Sequence, residues 1–159
     1  MFFSCTCNCL KSLFRIHTNT KCEKYIPQVS SGLVTRVYDG DTIFINSYLD
    51  VGIFPKQYEF CIRIRGIDCP EIKTKINNQK IVAKRAKKRV ENLILNQNIK
   101  LQNISLDKYG RLLCDVITKD NMSIKEILLN EHLAVKYDGK TKKIPSNWLA
   151  YNESIDPSE

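Results

Sequence analysis

Hydrophobic and polar residues alternate along much of the central part of the chain, and this period of two predicts β-strands. Alternation or a short apolar run of strand length occurs in five segments: residues 33–38, 42–45, 58–64, 99–104 and 112–117. Between the first two, Asp39-Gly40 is a strong hairpin-turn signal. Residues 46–57 include a glycine and a proline, so they are predicted to form a long connection. The polar residues 107–111 predict a turn in which Gly110 can adopt a positive φ.

The alternation from residue 58 onward assigns side chains to two faces of one strand. One face is apolar and is predicted to be core: Phe60, Ile62 and Ile64. The other face carries Cys61, Arg63 and Arg65. This strand is therefore predicted to place two guanidinium groups on an outer surface.

Two segments have a helical pattern instead. Across residues 78–96, apolar positions recur at steps of four, four and three and form one stripe: Val82, Ala86, Val90 and Leu93. Ser123 and Glu126 form a capping box that opens a second predicted helix over residues 124–131. A basic chain in which strands outnumber helices favours an α+β, mainly β, fold: a five-stranded OB-fold barrel with two or three helices.

The composition changes at both ends and predicts three regions. Residues 29–140 are the expected folded domain, 141–159 a polar C-terminal tail and 1–28 an N-terminal tail. That N-terminal segment is interpreted as disordered, as an organelle transit segment, or as a membrane tether acylated at Cys5, Cys7 and Cys9. A zinc site is less expected, because the cysteine spacing does not match a common finger.

The cysteine content and the hydropathy of the chain bear on the cellular compartment in which the protein is expected. The seven cysteines are an odd number and are unevenly spread, which does not fit a secreted disulfide framework. No apolar run approaches the length of a membrane span. An intracellular, reducing compartment is therefore favoured.

The charge is strongly positive and clustered. The formal net charge is +8, which predicts a polyanionic partner such as nucleic acid or an anionic membrane surface. Eight lysines and arginines lie between residues 73 and 89, and no acidic residue falls between Glu71 and Glu91. A local field of this kind favours phosphate.

Three short segments carry unusual polar density at strand ends or turns: residues 38–42, 63–71 and 107–111. Each alone is a weak signal, since an Asp-Gly-Asp turn, a helix cap and a polar hairpin are common structural features. Together they supply what phosphodiester cleavage needs: carboxylates for a hard cation, a base for water, and fixed donors for the phosphate oxygens.

Five charged residues can carry this chemistry. Asp41 and Asp68 can supply the cation ligands and Glu71 the base. Arg63 and Arg111 can clamp the phosphate, because a guanidinium binds two of its oxygens at once.

The ordered motifs VYDGDTI, RIRGIDCPE, DKYGRLLCDV and HLAVKYDG resemble the staphylococcal nuclease (thermonuclease) family over about residues 31–138. The resemblance implies an OB-fold and Ca²⁺-dependent, endonucleolytic hydrolysis of DNA and RNA that leaves 3′-phosphate ends. Some domains of this fold have lost catalysis and only bind. This chain keeps all five charged positions. The hypothesis of an active nuclease is therefore preferred to that of a catalytically silent module that binds nucleic acid or protein.

The resemblance assigns further roles. Asp41 and Asp68 resemble the calcium ligands, with the backbone carbonyl of Cys69 as a third ligand and Asp39 as a carboxylate acting at longer range. Arg63 and Arg111 resemble the phosphate-binding arginines, and Glu71 resembles the general base. Two residues resemble the lining of the nucleotide pocket: Lys108 and Tyr109. The expected partner is DNA or RNA, and the chain is expected to be a monomer.

Three other residues have predicted roles. Arg65 is interpreted as a solvated surface arginine in preference to a second phosphate contact. His132 is interpreted as structural, and Trp148 as a docking contact in the tail. Compared with the family, the segment between Asp41 and Arg63 is longer, and the family's long final helix has no expected counterpart.

Overall fold

The computed structural model describes residues 23–50 and 54–154 of the chain. Its elements follow in chain order as β1 (Ser31–Asp39), β2 (Thr42–Leu49), β3 (Lys56–Ile64), β4 (Ile67–Asp68), α1 (Asn77–Ile94), β5 (Asn98–Leu106), β6 (Leu112–Ile117), α2 (Ile124–Asn130), β7 (Val135–Lys136) and α3 (Trp148–Glu153). The interpretations of residues 1–22, including acylation of Cys5, Cys7 and Cys9, lie outside the described residues.

Five strands close into a barrel in the order β1-β2-β3-β6-β5, while β4 and β7 form a separate two-stranded sheet. The barrel pairings are antiparallel except between β3 and β6, which run parallel with Ile62 opposite Leu112. With three helices, this architecture confirms the predicted α+β, mainly β, OB-fold of five strands. Closure leaves no unpaired sheet edge in the barrel.

The barrel interior and the buried face of α1 form one core. Alternate strand residues such as Ile43, Ile45 and Ile62 are fully buried, as a period of two requires for a strand with one face inward. The predicted helical stripe is present in α1, where Val82, Ala86 and Val90 are buried. Helix α1 packs against β1, and this contact holds the β1–β2 turn in place.

The predicted long connection at residues 46–57 is wrong at both of its ends. Strands β2 and β3 continue as an antiparallel pair from Asn46 opposite Glu59 to Leu49 opposite Lys56. Most side chains at this end of the hairpin are polar or exposed and give no apolar alternation, although Leu49 packs against the core. Backbone pairing holds the strands there, and Ser47 Oγ adds a hydrogen bond to the Ser31 carbonyl at 2.6 Å.

The segment predicted as a polar C-terminal tail includes the packed helix α3. Asn147 caps this helix by accepting from the amide groups of Leu149 and Ala150, and Trp148 is 3% exposed within the core. The Tyr151 ring stacks on His132 at 4.4 Å between centroids, which agrees with a structural role for that histidine. A six-residue helix therefore occupies the region where no counterpart of the family's final helix was expected.

No helix within residues 23–50 and 54–154 has both the length and the apolar content needed to cross a membrane.

Candidate active site

The β1–β2 turn and strands β3 and β4 bring four of the predicted site residues to one end of the barrel. Asp39 and Asp41 lie at the β1–β2 turn, Arg63 lies near the end of β3, and Asp68 lies in β4. The β2–β3 pairing places Thr42 opposite Arg63. The Ile64 amide also donates to the Asp41 carbonyl at 2.8 Å, so the turn and the strand end are joined directly through the backbone.

Arg63 bridges two buried carboxylates. Its Nη1 lies 2.9 Å from Asp41 Oδ2, and its Nη2 lies 3.0 Å from Asp68 Oδ1. All three residues are at most 9% exposed. We call Asp41, Arg63 and Asp68 the Arg63 cluster. The expectation that Arg63 lies on an outer surface is wrong, because both carboxylates cover its guanidinium group.

Two further donors fix the orientation of Asp41. The Cys69 amide donates to Asp41 Oδ2 at 2.8 Å, and the Thr42 hydroxyl donates to Oδ1 at 3.0 Å. Burial raises the pKa of the Asp41 carboxyl above its ordinary value, although Arg63 and the Cys69 amide act in the opposite direction. Because both carboxylate oxygens have donors, Asp41 is held in one orientation.

Gly40 is required at the turn by close packing. A Cβ atom at this position would lie 2.8 Å from both the Cys69 Sγ and the Ala86 Cβ, closer than such atoms approach. Burial raises the pKa of the Cys69 thiol well above its usual range, so the thiol is neutral. Cys69 therefore contacts the Arg63 cluster through its backbone amide, while the ligand role of its carbonyl stays a prediction.

Asp39 and Glu71 add two carboxylates beside the cluster. Burial, followed by the negative charges of Asp41 and Glu71, raises the pKa of Asp39. The Ile72 amide opposes this shift by hydrogen bonding to Asp39. Glu71 is exposed, so its side chain is open to water. Two carboxylates thus flank the buried guanidinium group, and Asp39 and Glu71 add negative charge beside Asp41.

The donor set fits calcium in chemical type. Ca²⁺ prefers six to eight oxygen ligands, and the carboxylates of Asp41 and Asp68 are hard oxygen donors turned toward the same guanidinium group. Within the described part of the chain, however, no three His, Cys, Asp or Glu side chains converge as a metal site. A calcium ion held here would therefore need backbone and water oxygens in addition to the two aspartates.

Arg111 lies in the β5–β6 turn and is anchored by Asp107. Its Nε lies 2.6 Å from Asp107 Oδ2, and its amide donates to Oδ1 at 2.9 Å. Burial raises the pKa of Asp107, but the hydrogen bonds from Arg111 and Tyr109 outweigh this effect and lower it overall. Gly110 has a φ of +84°, which confirms the predicted turn conformation.

The barrel register places this turn on the same face as Arg63. Leu113 of β6 lies opposite Arg63, so Arg111 lies level with Cys61, two residues away along β3. Tyr109 is 73% exposed, and Lys108 Nζ lies 4.9 Å from the centre of its ring. Tyr109 and Arg111 line an open cleft of about 350 Å³, in which Tyr25 also takes part.

A model of the family described as staphylococcal nuclease homologue matches residues 61–153. The chain belongs to the staphylococcal nuclease homologue family. The match includes the positions of Arg63, Asp68, Glu71 and Arg111, and it begins after Asp41. It confirms the resemblance seen in the motifs. Among curated proteins, no match to the chain was found.

Membership of this family does not make every arginine of the RIRGIDCPE motif a site residue. The Arg65 guanidinium donates to the Asn103 carbonyl, to Ser105 Oγ at 2.9 Å and to the Leu113 carbonyl at 2.8 Å. These partners lie where the β5–β6 register is irregular. The expectation of a solvated surface arginine is therefore wrong, because Arg65 fastens this irregular part of the barrel.

The basic face that this family member carries on α1 is partly neutralised within the chain. Arg89 binds both carboxylate oxygens of Glu131 at 2.8 Å, and Arg85 lies 3.6 Å from Glu153. Lys87 and Lys88 both approach Glu91. The number of basic residues in this part of the sequence is therefore larger than the number of unpaired positive charges that α1 presents to a phosphate.

Sequence reasoning missed two residues at the site of this nuclease homologue. Thr42 follows Asp41 directly in the DGDT motif, and its hydroxyl could have been suspected from that proximity. Lys142 gave no signal, because it lies in the segment predicted as a polar tail. Its ammonium group nevertheless lies 3.0 Å from Asp68 Oδ1.

Proposed function

We propose that the protein is a Ca²⁺-dependent endonuclease that hydrolyses phosphodiester bonds of DNA or RNA and leaves 3′-phosphate ends. The observation that supports this most directly is the Arg63 cluster, in which one guanidinium group is held between two buried carboxylates. An exposed carboxylate, Glu71, lies in the same region. Such a reaction requires ligands for a cation, a hydrogen-bond donor to the phosphate oxygens and a base.

The residues divide the chemistry among them. Asp41 and Asp68 would hold the calcium ion, which when bound would neutralise charge on the phosphate. Glu71 takes a proton from the attacking water, whose oxygen forms a bond to phosphorus. The bond from phosphorus to the 5′ oxygen then breaks, the 5′ oxygen takes up a proton from solvent, and the phosphate stays on the 3′ oxygen. Arg63 donates to the phosphoryl oxygens, where negative charge increases in the transition state.

The β5–β6 turn supplies a second hydrogen-bond donor to the phosphate oxygens and the contacts to the nucleotide. Arg111 lies on the same barrel face as Arg63 and is less buried. Tyr109 presents an exposed ring, which suits stacking on a nucleobase, and Lys108 adds a positive charge beside it. We assign Lys108 and Tyr109 to nucleotide binding on this basis.

Cleavage in calcium and in chelator tests the activity directly. The purified protein is incubated with single-stranded DNA and with single-stranded RNA, and the products are examined for their end groups. Calcium-dependent fragments with 3′-phosphate ends are expected from at least one substrate. Intact substrate in calcium, for both nucleic acids, would refute the proposed activity.

Glu71→Gln tests the base. The variant keeps the side-chain size and loses the ability to accept a proton, so cleavage should fall about 10²–10⁴-fold while substrate binding persists. The matched control is Glu126→Gln, which changes an exposed carboxylate on α2. Unchanged cleavage by the Glu71 variant would remove this residue from the mechanism.

The alternative is a silent module that binds nucleic acid or protein through the same fold. The ion pairs that cover Arg63 favour this alternative, because a covered guanidinium group must exchange partners before it contacts a phosphate. Tight nucleic-acid binding without cleavage at any calcium concentration would identify such a module. Binding through phosphates should also weaken steeply as salt rises.

A further inference from the structure

Lys142 reaches the candidate active site from outside the motifs. It lies in the irregular segment of residues 138–147, which joins β7 to α3 and which we call the connecting segment. Its Nζ lies 3.0 Å from Asp68 Oδ1 and 5.7 Å from the centre of the Tyr137 ring. The lysine therefore contacts a carboxylate that we propose as a calcium ligand.

The contact falls on an oxygen that is already shared. Asp68 Oδ1 also accepts from Arg63 Nη2 at 3.0 Å, so two cationic groups converge on one carboxylate oxygen. Arg63 is fixed, because its second nitrogen binds Asp41. Lys142 differs, since its side chain is 42% exposed against 10% for Arg63. A lysine with this much solvent access can leave at little cost, because exposed ion pairs contribute little to stability.

We propose that Lys142 competes with a divalent cation for Asp68, so that the connecting segment lowers the calcium affinity of the site. This inference rests on the proposed function, because it assumes that Asp68 is a calcium ligand. An ammonium group that occupies a carboxylate oxygen must move or share before a metal ion binds there. Its positive charge also repels the ion at short range.

Isothermal titration of the full chain with calcium chloride, in the absence of nucleic acid, tests the competition. Lys142→Gln should bind calcium about thirtyfold more tightly than the wild type, the factor expected when one unit charge acts on a divalent ion about 4 Å away in a water-like medium. Lys142→Arg keeps the charge and should stay within twofold. Lys143→Gln is the matched control, because it removes the same charge from the neighbouring exposed lysine.

The outcomes separate the inference from the function on which it rests. If Lys142→Gln binds calcium as the wild type does, or more weakly, the competition is refuted while the calcium site stands. Equal tightening by Lys142→Gln and Lys143→Gln would also refute it, since a general charge effect would then suffice. If neither the wild type nor the variants bind calcium, the calcium site itself fails, and the inference fails with it.

A stability measurement excludes a purely structural role. In chelator, Lys142→Gln should unfold within about a degree or two of the wild type, because its ion pair is partly exposed. A lysine that only fastened the connecting segment would instead lower the unfolding temperature and leave calcium affinity unchanged. That combination of results would overturn the proposal.

Discussion

The Arg63 cluster and the 107–111 turn each hold an arginine against carboxylate oxygen, yet they differ in burial and in the number of partners. Arg63 lies between two carboxylates, and its side chain is 10% exposed. Arg111 has Asp107 as its ion-pair partner, and its side chain is 31% exposed. The difference predicts that removal of Arg63 will destabilise the fold, whereas Arg111 can be removed with little effect on the fold.

Arg63→Gln should have the largest effect on stability. It removes the cation between Asp41 and Asp68 and leaves two buried carboxylates without their shared charge. Losing one partner of a buried ion pair costs about 3–5 kcal/mol, so the free energy of unfolding should fall by that amount at neutral pH. Urea denaturation in chelator measures it. A loss below about 1 kcal/mol would show that the cluster is not structurally important.

The Arg63 cluster also shows how far the sequence could predict this site. The motifs identified its three residues, because the sequence itself shows acidic and basic residues at the ends of predicted strands. Burial was not visible: alternation along β3 predicts only that Arg63 faces away from the barrel core. Its partner Asp41 is 22 residues away, and that contact depends on how the β1–β2 turn packs under Cys69 and Ala86.

The fold was more predictable than these contacts. The barrel strands and α1 follow from alternation, short apolar runs or a helical apolar stripe, all of which report burial, and α2 follows from the capping box at Ser123 and Glu126. The exceptions are elements whose stability comes from other sources. The outer half of the β2–β3 hairpin is held by backbone pairing, and α3 depends on the burial of Trp148 in the core. Neither source has a periodic signature in sequence.

Arg65→Met tests whether an arginine without carboxylate partners can still be structural. Its guanidinium group donates to backbone carbonyls of β5 and β6, including that of Leu113 at 2.8 Å. Removing a donor from a buried acceptor costs about 1–3 kcal/mol, so the expected loss lies between those for Arg63 and Arg111. Urea denaturation gives the value, and cleavage should survive at a temperature where the variant is folded. Loss of cleavage by the folded variant would indicate instead that Arg65 contacts the phosphate of the substrate.

Arg111→Ala should separate function from stability. The partly exposed ion pair with Asp107 contributes about 1 kcal/mol or less, so unfolding should change little. Cleavage should fall about 10²–10³-fold, because a donor to the developing charge is lost. Lys136→Ala on β7 is a control that removes an exposed positive charge. Equal loss of cleavage in both variants would mean that Arg111 acts only through general charge.

Asp107→Asn should have the smallest effect on the free energy of unfolding, and the size of that effect depends on pH. Because hydrogen bonds from Arg111 and Tyr109 hold the pKa of Asp107 below its ordinary value of 3.8, the ionised carboxylate stabilises the folded state. That stabilisation is present above pH 3.8 and is lost as pH falls through the lowered pKa of the folded state. The free energy of unfolding of the wild type should therefore exceed that of the variant by a small, constant amount near neutral pH. The two values should converge in strong acid. Unfolding followed by circular dichroism across this range measures the difference. A difference that grew as pH fell would mean that Asp107 is held in its protonated form, in which case its contact with Arg111 would not be an ion pair.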